Sequence, residues 1–108
     1  MGTVKQFSPR EAYAAYVLGS SILVDVRENA ANKKTIDVKQ LVRLPFGELD
    51  QRFGELPANR TVVLVSNIGI KGKQAAKFLL EHGYSDVATL DGGLSAWEEE
   101  GLPVKGEK

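Results

Sequence analysis

The segment from Val62 to His82 reads VVLVSNIGIKGKQAAKFLLEH, and the other predicted elements are arranged around it. Its first four residues are apolar and mostly β-branched, which predicts a strand buried on both faces. Beyond Lys73 apolar residues recur at helical spacing, until Gly83 ends the predicted helix. A strand, a short loop and a helix in this order direct backbone N–H groups and the positive end of a helix dipole at one spot. In α/β proteins that spot is where an anion or a nucleophile is held.

The loop between this strand and helix holds the candidate site. It is six residues long, and a serine stands at its first position. Gly69 in the loop and Gly72 directly after it let the backbone come close to a ligand, and Lys71 adds a positive charge. We interpret Ser66 as the candidate catalytic position. The candidate anion-binding loop consists of Asn67, Ile68, Gly69, Ile70, Lys71 and Gly72.

The composition bounds the class of protein. A chain of 108 residues with 43% apolar and 26% charged residues is typical of one globular domain, so we expect residues 1–108 to form a single domain. Fourteen basic residues balance fourteen acidic ones, so we expect neither nucleic acid nor an anionic membrane as partner. No cysteine is present, which excludes disulfides, thiolate metal sites and cysteine catalysis. We expect no metal and no cofactor. Without a signal-like or membrane-spanning apolar run, a cytoplasmic location is expected.

Predicted strands and helices alternate along the rest of the chain. Ser8, Pro9 and Glu11 predict a capping box at the start of the first helix. We read the segment 30–39 as a loop. The other predicted strands are 4–7, 22–26, 41–44 and 85–90, and the other predicted helices are 46–53 and 94–100. This alternation favours an α/β fold with a parallel sheet covered on both faces.

Two further motifs resemble those of the rhodanese-like domains. Residues 23–28 read LVDVRE and resemble the "IDVRE" strand of that family. Residues 91–97 (DGGLSAW) and 101–104 (GLPV) resemble its "GG-x-x-x-W … G-x-P-V" ending, and the resemblance covers essentially the whole chain. It implies a five-stranded parallel sheet flanked by helices on both faces. It also implies a sulfurtransferase site whose loop begins with a cysteine that carries a persulfide.

The chain departs from the family pattern at the residues on which that chemistry depends. Ser66 stands at the position of the cysteine, Lys71 at the loop's terminal arginine, and Gly72 at the hydroxyl residue that follows. The loop keeps the six-residue length of the sulfurtransferases. The segment 37–45 (DVKQLVRLP) matches the family's "HIPGAxxIP" only at its end.

Serine does not replace cysteine in this chemistry. Sulfur transfer needs a polarisable thiolate, whereas a serine hydroxyl is far less acidic and needs an adjacent general base. The only histidine, His82, stands eleven residues beyond Lys71, on the order of 16 Å away along a helix. Lys71 is the remaining candidate base, by analogy with Ser–Lys pairs. The sequence therefore favours a catalytically inactive rhodanese-like domain that acts as a binding or regulatory module.

Several alternatives remain open from sequence. The chain is a sulfurtransferase in its natural form if Ser66 replaces a natural cysteine, and a serine hydrolase is a further enzymatic reading. A small-anion sensor that uses residues 66–73 is a non-enzymatic one. Either a partner protein or a small anion is therefore the expected ligand. Ile68 and Ile70 either plug the pocket or form an apolar patch for a partner.

Other conspicuous residues have structural interpretations. Asp25 and Arg27 stand at the end of a predicted strand and are assigned a supporting position at the site, with a structural hydrogen bond as the favoured role. Trp97 is expected in the core. His82 is expected to cap the end of its helix, where a cation complements the dipole.

Overall fold

The computed structural model describes residues 3–28 and 33–106, and within them a five-stranded parallel sheet is the centre of the fold. The strands are β1 (Lys5–Phe7), β2 (Ser21–Asp25), β3 (Thr35–Ile36), β4 (Val42–Arg43), β5 (Thr61–Val65), β6 (Val87–Leu90) and β7 (Val104–Lys105). The helices are α1 (Pro9–Val17), α2 (Leu49–Arg52), α3 (Ile70–Glu81) and α4 (Gly93–Glu99). The main sheet has the order β1-β6-β5-β2-β4, with all neighbours parallel.

The predicted segment 62–65 lies in the central strand of this sheet. β5 is paired on both sides, with Val63 opposite Leu23 of β2 and Ala88 of β6. Every residue from Val62 to Val65 is at most 1% exposed. A strand flanked by two parallel neighbours and covered on both faces needs apolar side chains at consecutive positions, which is why the run is continuous rather than alternating.

Helices cover both faces of the sheet, as expected from the sequence. One face packs against α3 and the segment around α2, and its core includes Val24, Leu64 and Leu79. The opposite face packs against α1 and α4, and its core is built around Leu23 and Trp97. Trp97 is fully buried and its Nε1 donates to the carbonyl oxygen of Pro103 at 2.8 Å, so its predicted core position is confirmed.

The predicted capping box of α1 is present. The backbone N–H of Glu11 donates to Ser8 Oγ at 3.1 Å, and the backbone N–H of Ser8 donates to Glu11 Oε1 at 2.8 Å. Pro9 occupies the first turn, where a backbone N–H would have no hydrogen-bond acceptor within the helix, so the lack of an N–H in proline costs nothing. Two of the orphan N–H groups at the helix start are thereby satisfied.

The loop predicted for residues 30–39 is partly wrong. Residues 30–32 lie outside the described part of the chain, but Thr35 and Ile36 form β3, which pairs antiparallel with β7 in a small second sheet. Ile36 is 1% exposed and lies opposite Val104. A two-residue strand has no periodicity of its own, and its partner is almost seventy positions away in the sequence.

Two helix boundaries also differ from the prediction. The segment 46–53 is not one helix: 3₁₀ turns at Phe46–Glu48 and Phe53–Glu55 flank the four-residue α2. α3 begins at Ile70, inside the stretch assigned to the loop. Gly69 is its N-cap residue with φ of 103°, a left-handed conformation that glycine adopts without a steric penalty. The loop proper is thus shorter than predicted.

No helix within residues 3–28 and 33–106 is long and apolar enough to cross a membrane.

Candidate functional site

Ser66 lies directly after β5, at the carboxyl edge of the sheet, with its side chain turned into the loop. The residue is 3% exposed, and Ser66 Oγ accepts hydrogen bonds from the backbone N–H of Gly69 at 3.0 Å and of Gly72 at 3.1 Å. Two N–H groups that converge on one buried oxygen form a cradle suited to negative charge. Here the neutral serine hydroxyl occupies that cradle.

Gly72 provides the space for this arrangement. A Cβ atom on Gly72 would lie 3.1 Å from the carbonyl oxygen of Leu64 and 3.3 Å from Ser66 Oγ. The first turn of α3 therefore packs closely against the end of β5, and a side chain at position 72 would push the two elements apart. The glycine at the position of the family's hydroxyl residue keeps the helix start close to Ser66.

The start of α4 holds the other side of the loop, a relationship that the sequence did not predict. The backbone N–H of Leu94 donates to the carbonyl oxygen of Ser66 at 2.8 Å, and that of Ser95 donates to the carbonyl oxygen of Asn67 at 3.1 Å. A Cβ atom on Gly93 would lie 2.4 Å from the carbonyl oxygen of Ser66, so only glycine fits. The sequence signal for this contact is the Gly92-Gly93 pair, which is typical of unusual backbone angles but does not show which residues lie opposite.

Asp25 and Arg27 form a buried ion pair beneath the loop. Arg27 Nη2 donates to Asp25 Oδ2 at 2.9 Å and Arg27 Nε donates to Asp25 Oδ1 at 3.0 Å, with both side chains 5% or less exposed. Arg27 Nη1 also donates to Asn67 Oδ1 at 3.4 Å, which connects the pair to the loop. Arg43 lies 3.7 Å from Asp25. The pair has the structural hydrogen bonds that we favoured, and Arg27 also borders the cleft described next.

A cleft of about 350 Å³ opens over the loop. Ile68 and Ile70 are 63% and 60% exposed, so they stand at its walls and neither fills it. Of the two sequence alternatives, a plug or an apolar patch, this placement corresponds to the patch. The lining residues are Arg27, Glu28, Ser66, Asn67, Ile68, Ile70 and Lys71.

Lys71 is turned toward an aromatic ring rather than toward Ser66. Its Nζ lies 4.5 Å from the centroid of the Phe46 ring, within the range of a cation–π interaction. Among the described residues no carboxylate lies within salt-bridge distance of Lys71, and no side chain makes a hydrogen bond with Ser66 Oγ. Lys71 therefore does not contact the serine as a general base in this geometry.

His82 lies at the opposite end of α3, as expected. It is the C-cap residue, its Nδ1 is 2.8 Å from the carbonyl oxygen of Phe78, and its ring stacks on that of Phe78 at 4.0 Å. The interpretation of His82 as a capping residue agrees with this position. The site consequently lacks a histidine base.

Glu28 is a cleft residue that the sequence analysis did not single out. Its Oε2 accepts a hydrogen bond from the backbone N–H of Gly47 at 2.7 Å, which ties the end of the β2 segment to the turn after β4. The only sequence signal for a role of Glu28 is its position immediately after Asp25-Val26-Arg27, and this signal is weak. Since Gly47 is nineteen residues away, only the fold shows the contact.

The loop retains backbone donors that no described residue uses. The N–H groups of Asn67, Ile68, Ile70 and Lys71 have no acceptor in the part of the chain that the structure describes. They stand at or near the start of α3, where the helix dipole is positive. Within the described ranges there is no group of three or more His, Asp or Glu side chains that could hold a metal ion.

Comparisons with known proteins agree on the family and the fold. The family model described as "Rhodanese-like domain" matches residues 8–100. A sulfurtransferase of Allochromatium vinosum is 34% identical over 83 residues, which cover 77% of this chain and 77% of that protein. The thiosulfate sulfurtransferase GlpE of Shewanella oneidensis is 34% identical over 100 residues, covering 92% and 97%. A crystal structure of a rhodanese-related protein from Thermoplasma volcanium superposes with a TM-score of 0.82 at 22% identity, over 95% of this chain and 99% of that one, a likeness of fold alone.

Proposed function

The chain belongs to the rhodanese-like domain family, and we propose that it is a non-catalytic member that acts as a binding or regulatory module. The observation that carries this proposal is the environment of the Ser66 hydroxyl. Its oxygen is buried, accepts two backbone hydrogen bonds and has no basic side chain in contact among the described residues. A hydroxyl without a base is a weak nucleophile.

The chemistry of sulfur transfer explains why this substitution matters. A thiolate attacks the outer sulfur of thiosulfate, the S–S bond breaks, sulfite leaves with the electron pair, and a persulfide remains on the protein. A thiol is ionised near neutral pH when N–H donors or cations stabilise the anion. Here the N–H groups of Gly69 and Gly72 surround the Ser66 hydroxyl, which stays protonated and forms no persulfide. The cleft, with its exposed isoleucines, then remains as a surface for binding.

The direct test is the formation of thiocyanate from thiosulfate and cyanide. We expect the purified protein to give the rate of a heat-denatured sample of equal concentration. A rate that rises in proportion to the concentration of folded protein would overturn the proposal. A cysteine codon at position 66 of the natural gene would instead support the alternative of a sulfurtransferase altered at this position.

A second candidate function, binding of a small anion, is favoured by the unused loop N–H groups. The four residues that carry these donors line the cleft, and one of them, Lys71, also carries a positive charge. Titration with sulfate, thiosulfate and phosphate, followed by amide chemical shifts, tests this function. We expect shifts confined to residues 66–73 if an anion binds. No change in these amides at millimolar anion would dispose of the anion sensor and leave the binding module in place.

Reaction of Ser66 with a fluorophosphonate probe tests the hydrolase reading. Because no base contacts Ser66 Oγ among the described residues, we expect no labelling.

A further inference from the structure

A second cleft lies beside the one over the loop. It has a volume of about 320 Å³ and is more aromatic in character. Leu49 at its base is 2% exposed, while the two phenylalanines are half-buried and present part of their rings to solvent. Its lining residues are Phe46, Gly47, Leu49, Asp50 and Phe78.

Two contacts lie on the boundary between the clefts. Lys71 lines the loop cleft, and its ammonium rests on the ring of Phe46, which lines the second cleft. Glu28 also lines the loop cleft, and its carboxylate accepts the N–H of Gly47 in the second. The clefts therefore share a boundary that is one side chain thick. We call the combined feature the double groove.

The walls of the double groove include unusually exposed apolar side chains. Ile68 and Ile70 are two of the four large apolar residues that are exposed in the described part of the chain. The other two, Val17 and Leu18, lie together at the end of α1. Paired isoleucines beside a cleft favour contact with an apolar side chain of a partner.

Charges of opposite sign line the two clefts of the double groove. Lys71 borders the loop cleft and Asp50 the second cleft, and neither forms an ion pair within the described ranges. Of the other charges in the walls, Arg27 is paired with Asp25, and the carboxylate of Glu28 accepts the N–H of Gly47. A complementary ligand therefore has an acidic group that meets Lys71 and a basic group that meets Asp50.

We propose that the double groove binds an extended peptide segment of a partner protein. An acidic side chain meets Lys71, apolar side chains lie against Ile68 and Ile70 and against Phe46 and Phe78, and a basic side chain meets Asp50. This inference rests on the proposed function, since it names the partner class of the binding module. An extended chain advances about 3.3 Å per residue and directs alternate side chains to the same face, so it can present several side chains along one surface. The recognised pattern is acidic, apolar, basic within about five residues.

Selection from a phage-displayed library of random heptapeptides tests this pattern. The immobilised full chain is the target, and synthetic copies of the enriched peptides are then measured by fluorescence anisotropy. We expect enrichment of peptides with an acidic and a basic residue on either side of a large apolar one. We expect Lys71→Glu, Asp50→Lys and the double variant Ile68→Ser/Ile70→Ser each to weaken binding about tenfold or more, as for loss of one central contact.

Matched controls separate the groove from general surface effects. Lys77→Glu reverses an exposed charge on α3 that lines neither cleft, and Leu18→Ser removes an exposed apolar side chain at α1. Both variants should bind the selected peptides as the unchanged chain does. Because all the substituted side chains are exposed, thermal melts should confirm that every variant is folded.

Three outcomes would overturn the inference. The first is no enrichment over an uncoated surface, and the second is binding that the groove variants do not weaken. The third is a dimer in sedimentation experiments that Ile68→Ser/Ile70→Ser dissociates, since a second copy would then occupy the groove. The thiocyanate assay is independent of all three. An inactive protein that binds no such peptide contradicts only this inference, and an active protein contradicts only the proposed function.

Discussion

Ser66 Oγ lies 3.1 Å from the backbone nitrogen of Gly72 and accepts its hydrogen bond. The two residues are joined across the junction of β5 and α3, at the point where the first turn of the helix has a spare N–H. Together with the N–H of Gly69, this contact defines a cradle for negative charge that a serine fills without becoming charged. The effect of the cradle on a negative charge and the effect of the missing thiol on sulfur transfer can therefore be tested separately.

Ser66→Cys should produce a thiol with a pKa below its ordinary value of about 8.5. The N–H groups of Gly69 and Gly72 would then donate to a thiolate, and hydrogen bonds to the charged form stabilise it. The pH dependence of thiol alkylation measures this pKa. Since the chain has no other cysteine, the signal belongs to position 66 alone. A pKa at or above 8.5 would show that the cradle does not stabilise an anion.

Gly93→Ala should destabilise the protein by about 3 kcal/mol or more, because the new Cβ would meet the carbonyl oxygen of Ser66 at 2.4 Å in a left-handed conformation. Gly83→Ala is the matched control. Gly83 also has a positive φ but nothing within 4 Å of its Cβ position, so only the backbone cost of about 1–2 kcal/mol applies. Urea denaturation measures both. Equal losses for the two variants would mean that α4 does not pack on the loop as described.

Asp25→Ala should cost about 3–5 kcal/mol of unfolding free energy, since it leaves the buried guanidinium of Arg27 without its carboxylate. Arg10→Ala removes an ion pair with Glu100 in which both side chains are largely exposed, and should cost less than about 1 kcal/mol. Chemical denaturation of the two variants compares the pairs. If Asp25→Ala were as stable as Arg10→Ala, the pair beneath the loop would have no structural role.

Tyr84→Phe should lower the free energy of unfolding at neutral pH. It should also make that free energy fall less steeply as the pH rises above 10. The Tyr84 hydroxyl donates to the carbonyl oxygens of Phe53 and Leu56, and losing this donor costs about 1–2 kcal/mol. Desolvation raises the pKa of Tyr84 above its ordinary value of 10.0, because burial penalises the phenolate. Its contribution is therefore complete below pH 10 and declines as the pH rises further.

Thermal melts at neutral pH and above pH 10 measure this dependence. The unchanged chain should lose stability more steeply in alkali than Tyr84→Phe. Tyr16→Phe is the control, as its hydroxyl accepts a single exposed N–H from Gln40. Parallel curves for the unchanged chain and Tyr84→Phe would contradict the assigned role of burial.

Most of the fold was predictable because its main elements have local causes. β2 and β5 are paired with neighbours on both sides and covered on both faces. Their apolar residues, such as Leu23 and Val63, therefore stand in continuous runs that can be recognised in the sequence. The start of α1 follows from a capping box that Ser8 and Glu11 complete within four residues. Tertiary contacts are not needed to recognise either pattern. The motifs at both ends of the chain then indicated the family.

The remaining features depend on contacts that are distant in sequence. β3 exists because Ile36 pairs with Val104, and neither has a periodic neighbourhood. The early start of α3 depends on the left-handed conformation of Gly69, followed by the exposed Ile70, which shows no apolar periodicity. The contact between Gly93 and the Ser66 carbonyl joins residues 27 positions apart. Local patterns contain none of this information.

The most direct test of the central claim is the intact mass of the protein after incubation with thiosulfate, measured for the unchanged chain and for Ser66→Cys side by side. The account predicts that the unchanged chain keeps its mass, while Ser66→Cys gains one sulfur atom that a reducing agent removes. A sulfur adduct on the unchanged chain would contradict it, because Ser66 would then carry sulfur without a thiol. A Ser66→Cys variant that gains no sulfur would contradict the second part of the account, which is that the cradle around position 66 is intact.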